Sequence, residues 1–428
     1  MSLTRTAAYD AALATTGGES GEFARNWKML IACIAGCGFC MAGVATYSIG
    51  PFVKPLGDEL GWSRTAVQAS IVFGQGLSAV GAIFAAMLIE RFGARRIALA
   101  GLVGTAFGFI LASMSTTLAF FYLSYSLAAL LGAGAGFITW TRAITGEFNK
   151  NRGLALAIAL SGTGISGFVL PPLLVWVIEN YGWQAGYLTL AAIPLFVALP
   201  LAFLLFRPRE NAPATRAATP NAVPAGSMRD VFGSYRYWLL LVSIICLYLG
   251  ICGIIPNLIP SLTDDGHAPE NAALAQSAFA VALVGGRLAV GWLVDRFWAP
   301  AIGAIFLTPP AIGCLILMSD PSLGGAILAA ALVGMAGGAE LDLLALLSSR
   351  YFGVRNFARS YAWLYAAVAV VGGVGPMAFA YLYDLTGSYD TSFLISAVLF
   401  AIGGPILLLL GRYPEFPEEA DLPDSARH

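Results

Sequence analysis

The chain has 428 residues, 58% of them apolar and 11% charged, with a formal net charge of -1. A soluble protein carries roughly a quarter charged residues, and a mean hydropathy of +0.77 leaves too little polar side chain to clothe a surface facing water. This excludes a water-soluble globular protein and gives no basis for a nucleic-acid partner; lipid is the main solvent.

Residues 1–26 are polar and lack the apolar core of a signal peptide, so they read as an N-terminal tail, with the first apolar segment kept as an anchor. In that segment Cys33, Cys37 and Cys40 share one helical face. No histidine or carboxylate accompanies them, so they read as small packing residues rather than a thiolate metal site. Trp238 to Leu262 carries no charge, and Ile97 to Glu147 carries only Arg142 before its last residue. Each exceeds the ~20 residues of a helical span, and the long apolar runs exclude a barrel of short alternating strands. Charges, Gly and Pro divide the chain into twelve spans, near 27–56, 63–89, 96–114, 118–146, 153–178, 184–206, 236–263, 272–294, 300–318, 322–349, 357–383 and 389–411. The expected fold is therefore all-α and polytopic, with a tail at 1–26, six helices over 27–206, a linker over 207–235, six more over 236–412 and a tail at 413–428.

A cytoplasmic N-terminus places 19 of the 23 Lys and Arg on the cytoplasmic side, leaving Lys54 and Arg64 outside and Arg142 and Arg287 within spans. That asymmetry follows the positive-inside rule and sets both termini in the cytoplasm. The linker is rich in Pro, Ala and Thr and reads as flexible. The acidic C-terminal end reads as solvated.

A shift of the sequence against itself by 205 positions superposes its punctuation without a gap. Pro51 and Pro55 fall on Pro256 and Pro260, Glu90-Arg91-Phe92 on Asp295-Arg296-Phe297, Pro171 on Pro376 and Gly182 on Gly387. Such a duplicated six-helix unit describes a rocking-bundle carrier with its substrate near the bilayer midplane.

The stretch from Ala86 through Glu90, Arg91, Phe92 and Gly93 to Arg95 and Arg96, and its repeat at Gly291, Asp295 and Arg296, resemble the loop signature G-x-x-x-D-R-x-G-R-R of the major facilitator superfamily. Ala86 and Glu90 depart from it. An acid at a helix end beside arginines can latch one conformer, which makes these loops gating candidates. Glu147 to Ala155, with the glycines 162, 164 and 167, is similar to the Y-F-x-K-R-R-x-L-A stretch of the monocarboxylate porter and oxalate–formate antiporter branch. The stretch from Gly338 to Arg359 resembles bacterial members of it.

Function is expected where the repeat is broken. Arg142, Arg287, Glu340 and Asp342 lie inside spans, and their repeat counterparts Leu347, Ala82, Ala135 and Phe137 are uncharged. Each such charge costs about 3 kcal/mol at a helix centre. Arg287 lies eight residues before Asp295, about 12 Å into a core ~30 Å thick. Its place four residues before Gly291 matches the arginine that binds carboxylate in the branch, a task suited to the guanidinium fork; the alternative is a structural ion pair. Glu340 and Asp342, roughly 200° apart on one helix, are candidates to neutralise Arg287 in the empty site and to take a proton when substrate arrives. Arg142 is expected either to pair with Asp342 at a cytoplasmic gate or to snorkel to the interface.

By the resemblance, Tyr47 and Tyr365 occupy places where relatives carry lysine, and Leu283 replaces an aspartate of some animal members. With Tyr361 and Trp363 as further lining candidates, this implies a monoanion with an apolar or aromatic body. Trp140 is read as lining or packing. The expected activity is proton-coupled carboxylate transport by a monomer without cofactor or metal, in a bacterial inner membrane. Anion exchange and drug or metabolite efflux are the alternatives. No nucleophile–base pair or phosphate-binding loop supports an enzyme or an ATP-driven pump.

Overall fold

The computed structural model describes residues 20–148, 151–208 and 228–414. Residues 1–19 of the N-terminal tail, Asn149 and Lys150, 209–227 of the linker and the acidic end from 415 lie outside them. All regular structure among the described residues is helical.

The first span is broken into α1 (Ser20–Phe39), α2 (Met41–Ser48) and α3 (Gly50–Leu60), where one continuous helix is expected from the sequence. Pro51 and Pro55 account for part of this, since neither can donate to the carbonyl four residues back. α4 (Arg64–Phe92), α5 (Ala94–Ser113), α6 (Leu118–Gly132) and α7 (Phe137–Glu147) follow, the last two joined by a 3-10 turn at Ala133–Ala135. α8 (Arg152–Leu160), α9 (Gly162–Ile193) and α10 (Leu199–Leu205) form one helical stretch of 54 residues, Arg152–Leu205. At 1.5 Å per residue that is about 80 Å, more than twice a bilayer core. It turns back at Gly182, whose φ of 83° favours glycine, and so supplies two spans.

After α11 (Met228–Gly233) come α12 (Tyr235–Asp264), α13 (Pro269–Val294), α14 (Ala299–Leu307), α15 (Pro310–Leu317), α16 (Leu323–Thr386) and α17 (Asp390–Ile406). α16 holds two spans, divided at Gly353 with φ 68°. Ten helical stretches among the described residues are long and apolar enough to cross a membrane; the turn at Gly182 and the broken first span account for the twelve. The duplication reaches the backbone, because Gly61 and Gly266 both adopt positive φ, as do Gly182 and Gly387, in each case 205 positions apart.

The chain packs into two compact units. One comprises Met1–Thr46, Phe73–Ser166 and Val177–Thr215; the other comprises Tyr47–Val72, Gly167–Trp176 and Arg216–His428. In the first unit Gly101, Gly104 and Gly108 let α5 meet the turn at Ala135 and the Leu131 and Ala128 faces of α6 at backbone distance. Trp140 is fully buried there, donates from Nε1 to the Ala135 carbonyl at 2.7 Å and packs on Phe206, so its role is packing. Cys33 and Cys37 belong to the same core.

Short pieces of the first and fifth spans join the second unit for a physical reason. Pro51 leaves the Tyr47 carbonyl without a helical donor, and Gln276 Nε2 supplies one at 3.4 Å. Pro172 does the same to the Phe168 carbonyl, which accepts from Ser277 Oγ at 2.9 Å. A lipid interior offers no water for such groups, so two adjacent polar residues of α13 satisfy both.

Candidate functional site

The second unit contains three of the four charges expected within spans. α13 and the first half of α16 cross at backbone distance, because a Cβ on Gly286 would land on the Met335 carbonyl, one on Gly334 on the Phe279 carbonyl and one on Gly338 on the Leu283 carbonyl. This glycine seam sets Arg287 against the turn that carries Glu340 and Asp342.

Arg287 Nε stands 3.2 Å from Asp342 Oδ2 in an ion pair. Both Nε and Nη1 are buried without a hydrogen-bond partner. The two carboxylates differ as opposite helix faces require. The Asp342 side chain is 49% exposed, whereas Glu340 is 3% exposed and its Oε2 has no hydrogen-bond partner. The guanidinium is thus charge-balanced but short of hydrogen-bond acceptors.

Tyr47 is buried within electrostatic reach of both Arg287 and Glu340. Tyr361 stands near Asp342 and stacks against Tyr365 with ring centroids 5.9 Å apart. Trp363, two residues from Tyr361, is 60% exposed and meets Phe232 of α11 edge-on; it is not drawn into the cluster. Tyr248 and Cys252 of α12 also neighbour Glu340. The sequence reading missed them because uncharged residues on an apolar span carry no signal until a charge is placed beside them.

Arg142 lies in the other unit, on α7, half-buried. Its expected partner, Asp342, is engaged by Arg287 within its own unit. At the signature loop Arg95 donates from Nη2 to the Phe203 carbonyl at 2.6 Å, and Arg91 lies over the Phe92 ring. Glu90 and Arg96 are exposed. At its repeat Arg296 bonds the Trp292 carbonyl at 3.2 Å and stacks on that indole, with Asp295 exposed. Among the described residues neither Glu90 nor Asp295 forms an ion pair.

The sequence matches the family model of the Major Facilitator Superfamily over residues 35–339 and 240–427. The chain belongs to the Major Facilitator Superfamily. It is an integral membrane protein that transports small organic molecules, not an enzyme. Monocarboxylate transporter 11 of Homo sapiens is 29% identical over 339 residues, covering 76% of this chain and 70% of the relative. Monocarboxylate transporter 13 of Bos taurus is 27% identical over 76% of each chain. The Fujikurins efflux protein of Gibberella fujikuroi is 25% identical over 94% of this chain and 85% of the relative. The superfamily fold is shared with a bacterial homologue of the human lysosomal transporter Spinster in an inward-facing, unoccupied conformation. That structure has a TM-score of 0.68 and 19% identity, covering 90% of this chain and 98% of the other. Within the superfamily the chain resembles the monocarboxylate porter branch, as the motifs around Glu147 and Gly338 imply.

Proposed function

We propose that the chain is a secondary active transporter of small organic monocarboxylates, working by alternating access as a monomer and coupled to protons in symport. The single observation that carries this reading is Arg287, whose buried Nε and Nη1 lack hydrogen-bond partners while Asp342 balances the charge and the more deeply buried Glu340 lies close by. A substrate carboxylate offers the two lone-pair sites that Nε and Nη1 lack. As it binds, Asp342 loses its cation. A carboxylate left without a counter-ion in a low-dielectric site costs several kcal/mol, on the order of the buried-ion penalty, unless it takes a proton. One substrate anion and one proton then cross together, and the cluster returns empty with the Arg287–Asp342 pair restored. Glu340, deeper and with its Oε2 unbonded, is the second carrier for that proton.

Tyr47, Tyr361 and Tyr365 supply an apolar or aromatic wall beside the charge, which favours a monoanion with an apolar body over a small dianion. Arg142 and the loops bearing Glu90, Arg91, Arg95, Arg96, Asp295 and Arg296 act in gating on the cytoplasmic side. Both termini face the cytoplasm of a bacterial inner membrane, a placement supported by the 19 of 23 cations that fall on that face.

The test is uptake of a panel of radiolabelled carboxylates into proteoliposomes with and without an inward proton gradient. The gradient should accelerate uptake, and Glu340→Gln or Asp342→Asn should remove that acceleration while leaving exchange. Unchanged gradient dependence in both variants would remove proton coupling. A second reading, drug or metabolite efflux, draws on the coverage of the Fujikurins efflux protein; it predicts transport in the outward direction in the same vesicles.

A further inference from the structure

A polar assembly outside the carboxylate site ties the start of α4 to three later helices of the same compact unit. Arg64 grips Asp264, at the end of α12, with both terminal nitrogens: Nη2 donates to Oδ1 at 2.9 Å and Nη1 stands 2.7 Å from Oδ2. Nη1 also donates to the Tyr389 hydroxyl, just before α17, at 3.0 Å. The guanidinium lies 3.7 Å from the centroid of Tyr383, near the end of α16. Asp384 accepts from the backbone N–H groups of Arg64 and Thr65 at 3.3 and 3.0 Å, satisfying two donors at the α4 N-terminus. One turn further in, Gln68 Nε2 donates to Asn257 Oδ1 at 2.6 Å. Both side chains are fully buried, and Asn257 in turn bonds the Pro376 carbonyl of α16 at 3.4 Å.

We propose that Arg64 is the pin of a latch that shuts this end of the transport path: while Asp264, Tyr383 and Tyr389 hold its guanidinium, α4 cannot part from α12, α16 and α17. The inference rests on transport by alternating access and not on the anion assignment. Arg64, Asp264, Asp384 and Tyr389 all sit at helix ends on the membrane face opposite the one assigned to the termini. A lysine would not serve equally, because the planar fork meets a carboxylate with two nitrogens while its face lies on a tyrosine. The Arg64 and Asp264 side chains keep 14% and 23% of their surface accessible. Water can therefore take over their hydrogen bonds when the latch opens, which makes the grip reversible, whereas the dry Gln68–Asn257 bond behind it sets the register on reclosing.

The test needs no substrate, so its failure is distinct from failure of the carboxylate reading. Gly373, buried on α16 where an added Cβ would rest on Val72 of α4 at 3.7 Å, serves as reporter through Gly373→Cys in a background without the six native cysteines. Labelling by a membrane-impermeant maleimide is timed in vesicles of both orientations. Arg64→Gln and Asp264→Asn should each speed labelling from the Arg64 face about fivefold, the ratio that ~1 kcal/mol produces, and the double variant should be no faster than either. Unchanged labelling in both single variants, multiplied effects in the double, or acceleration from the opposite face would each overturn the latch. If the cysteine-free background does not fold, labelling at position 373 is read by mass spectrometry with the native cysteines retained, and the same outcomes decide.

Discussion

Arg287 and its neighbours show how much a single side chain can be asked to do in a lipid interior. A lysine at 287 keeps the charge that balances Asp342 but loses the fork that presents two nitrogens to a carboxylate. Arg287→Lys should lower initial uptake rates roughly 10- to 100-fold, corresponding to ~1.5–3 kcal/mol for a hydrogen bond to a charged group, while Arg287→Ala abolishes uptake. Asp265, just beyond α12, gives a pH effect of known sign. Partial desolvation against the helix end pushes its carboxyl up to about 6, helped by Asp320, Asp264 and Asp390 and opposed by His267. Because the folded value lies above the ordinary one, the associated stability is present below pH ~4 and is lost as the pH rises through about 6. Asp265→Asn should therefore raise the apparent melting temperature in detergent at pH 7.5 and leave it unchanged at pH 4. Asp265 is exposed, so screening holds the gain below ~1 kcal/mol.

At the scale of elements, the seam between α13 and α16 is held by glycines rather than by the charges it positions. Gly286 and Gly285 make a controlled comparison, since a methyl on Gly286 meets the Met335 backbone and one on Gly285 meets nothing within 4 Å. Gly286→Ala should destabilise the protein by ~1–3 kcal/mol through overpacking and displace Arg287 from Asp342. Gly285→Ala should leave the melting curve and uptake unchanged. Gln276→Leu isolates the other device of this region: it strands the Tyr47 carbonyl released by Pro51, and a loss of ~1–3 kcal/mol is expected in the same melts.

For the whole molecule, a ligand that binds only the folded carrier raises its stability by mass action, about 2.7 kcal/mol at a hundred times its dissociation constant. Carboxylates that are transported should raise the melting temperature of the parent protein in proportion to the logarithm of their concentration, and Arg287→Ala should erase the rise. A persistent rise in that variant would place the anion elsewhere. The duplicated architecture also explains why the charges were easy to find. Where two halves share Pro51 with Pro256 and Gly182 with Gly387, an intramembrane Arg287 opposite Ala82 stands out as an exception to its own repeat.

The sequence by itself determined the helical class, the span pattern, the duplication, the superfamily and the intramembrane charges, because lipid tolerates few charges and only closed hydrogen bonding, and both leave marks along the chain. It also marked the prolines whose carbonyls need donors, without naming the donors. Only the tertiary structure decided that Asp342 rather than Glu340 faces the Arg287 guanidinium, that Gln276 and Ser277 serve the first and fifth spans, and that Arg64 reaches Asp264 and Tyr389. Each of these is a meeting of residues from 55 to 325 positions apart. Such meetings depend on crossing geometry and side-chain reach, to which local periodicity is blind.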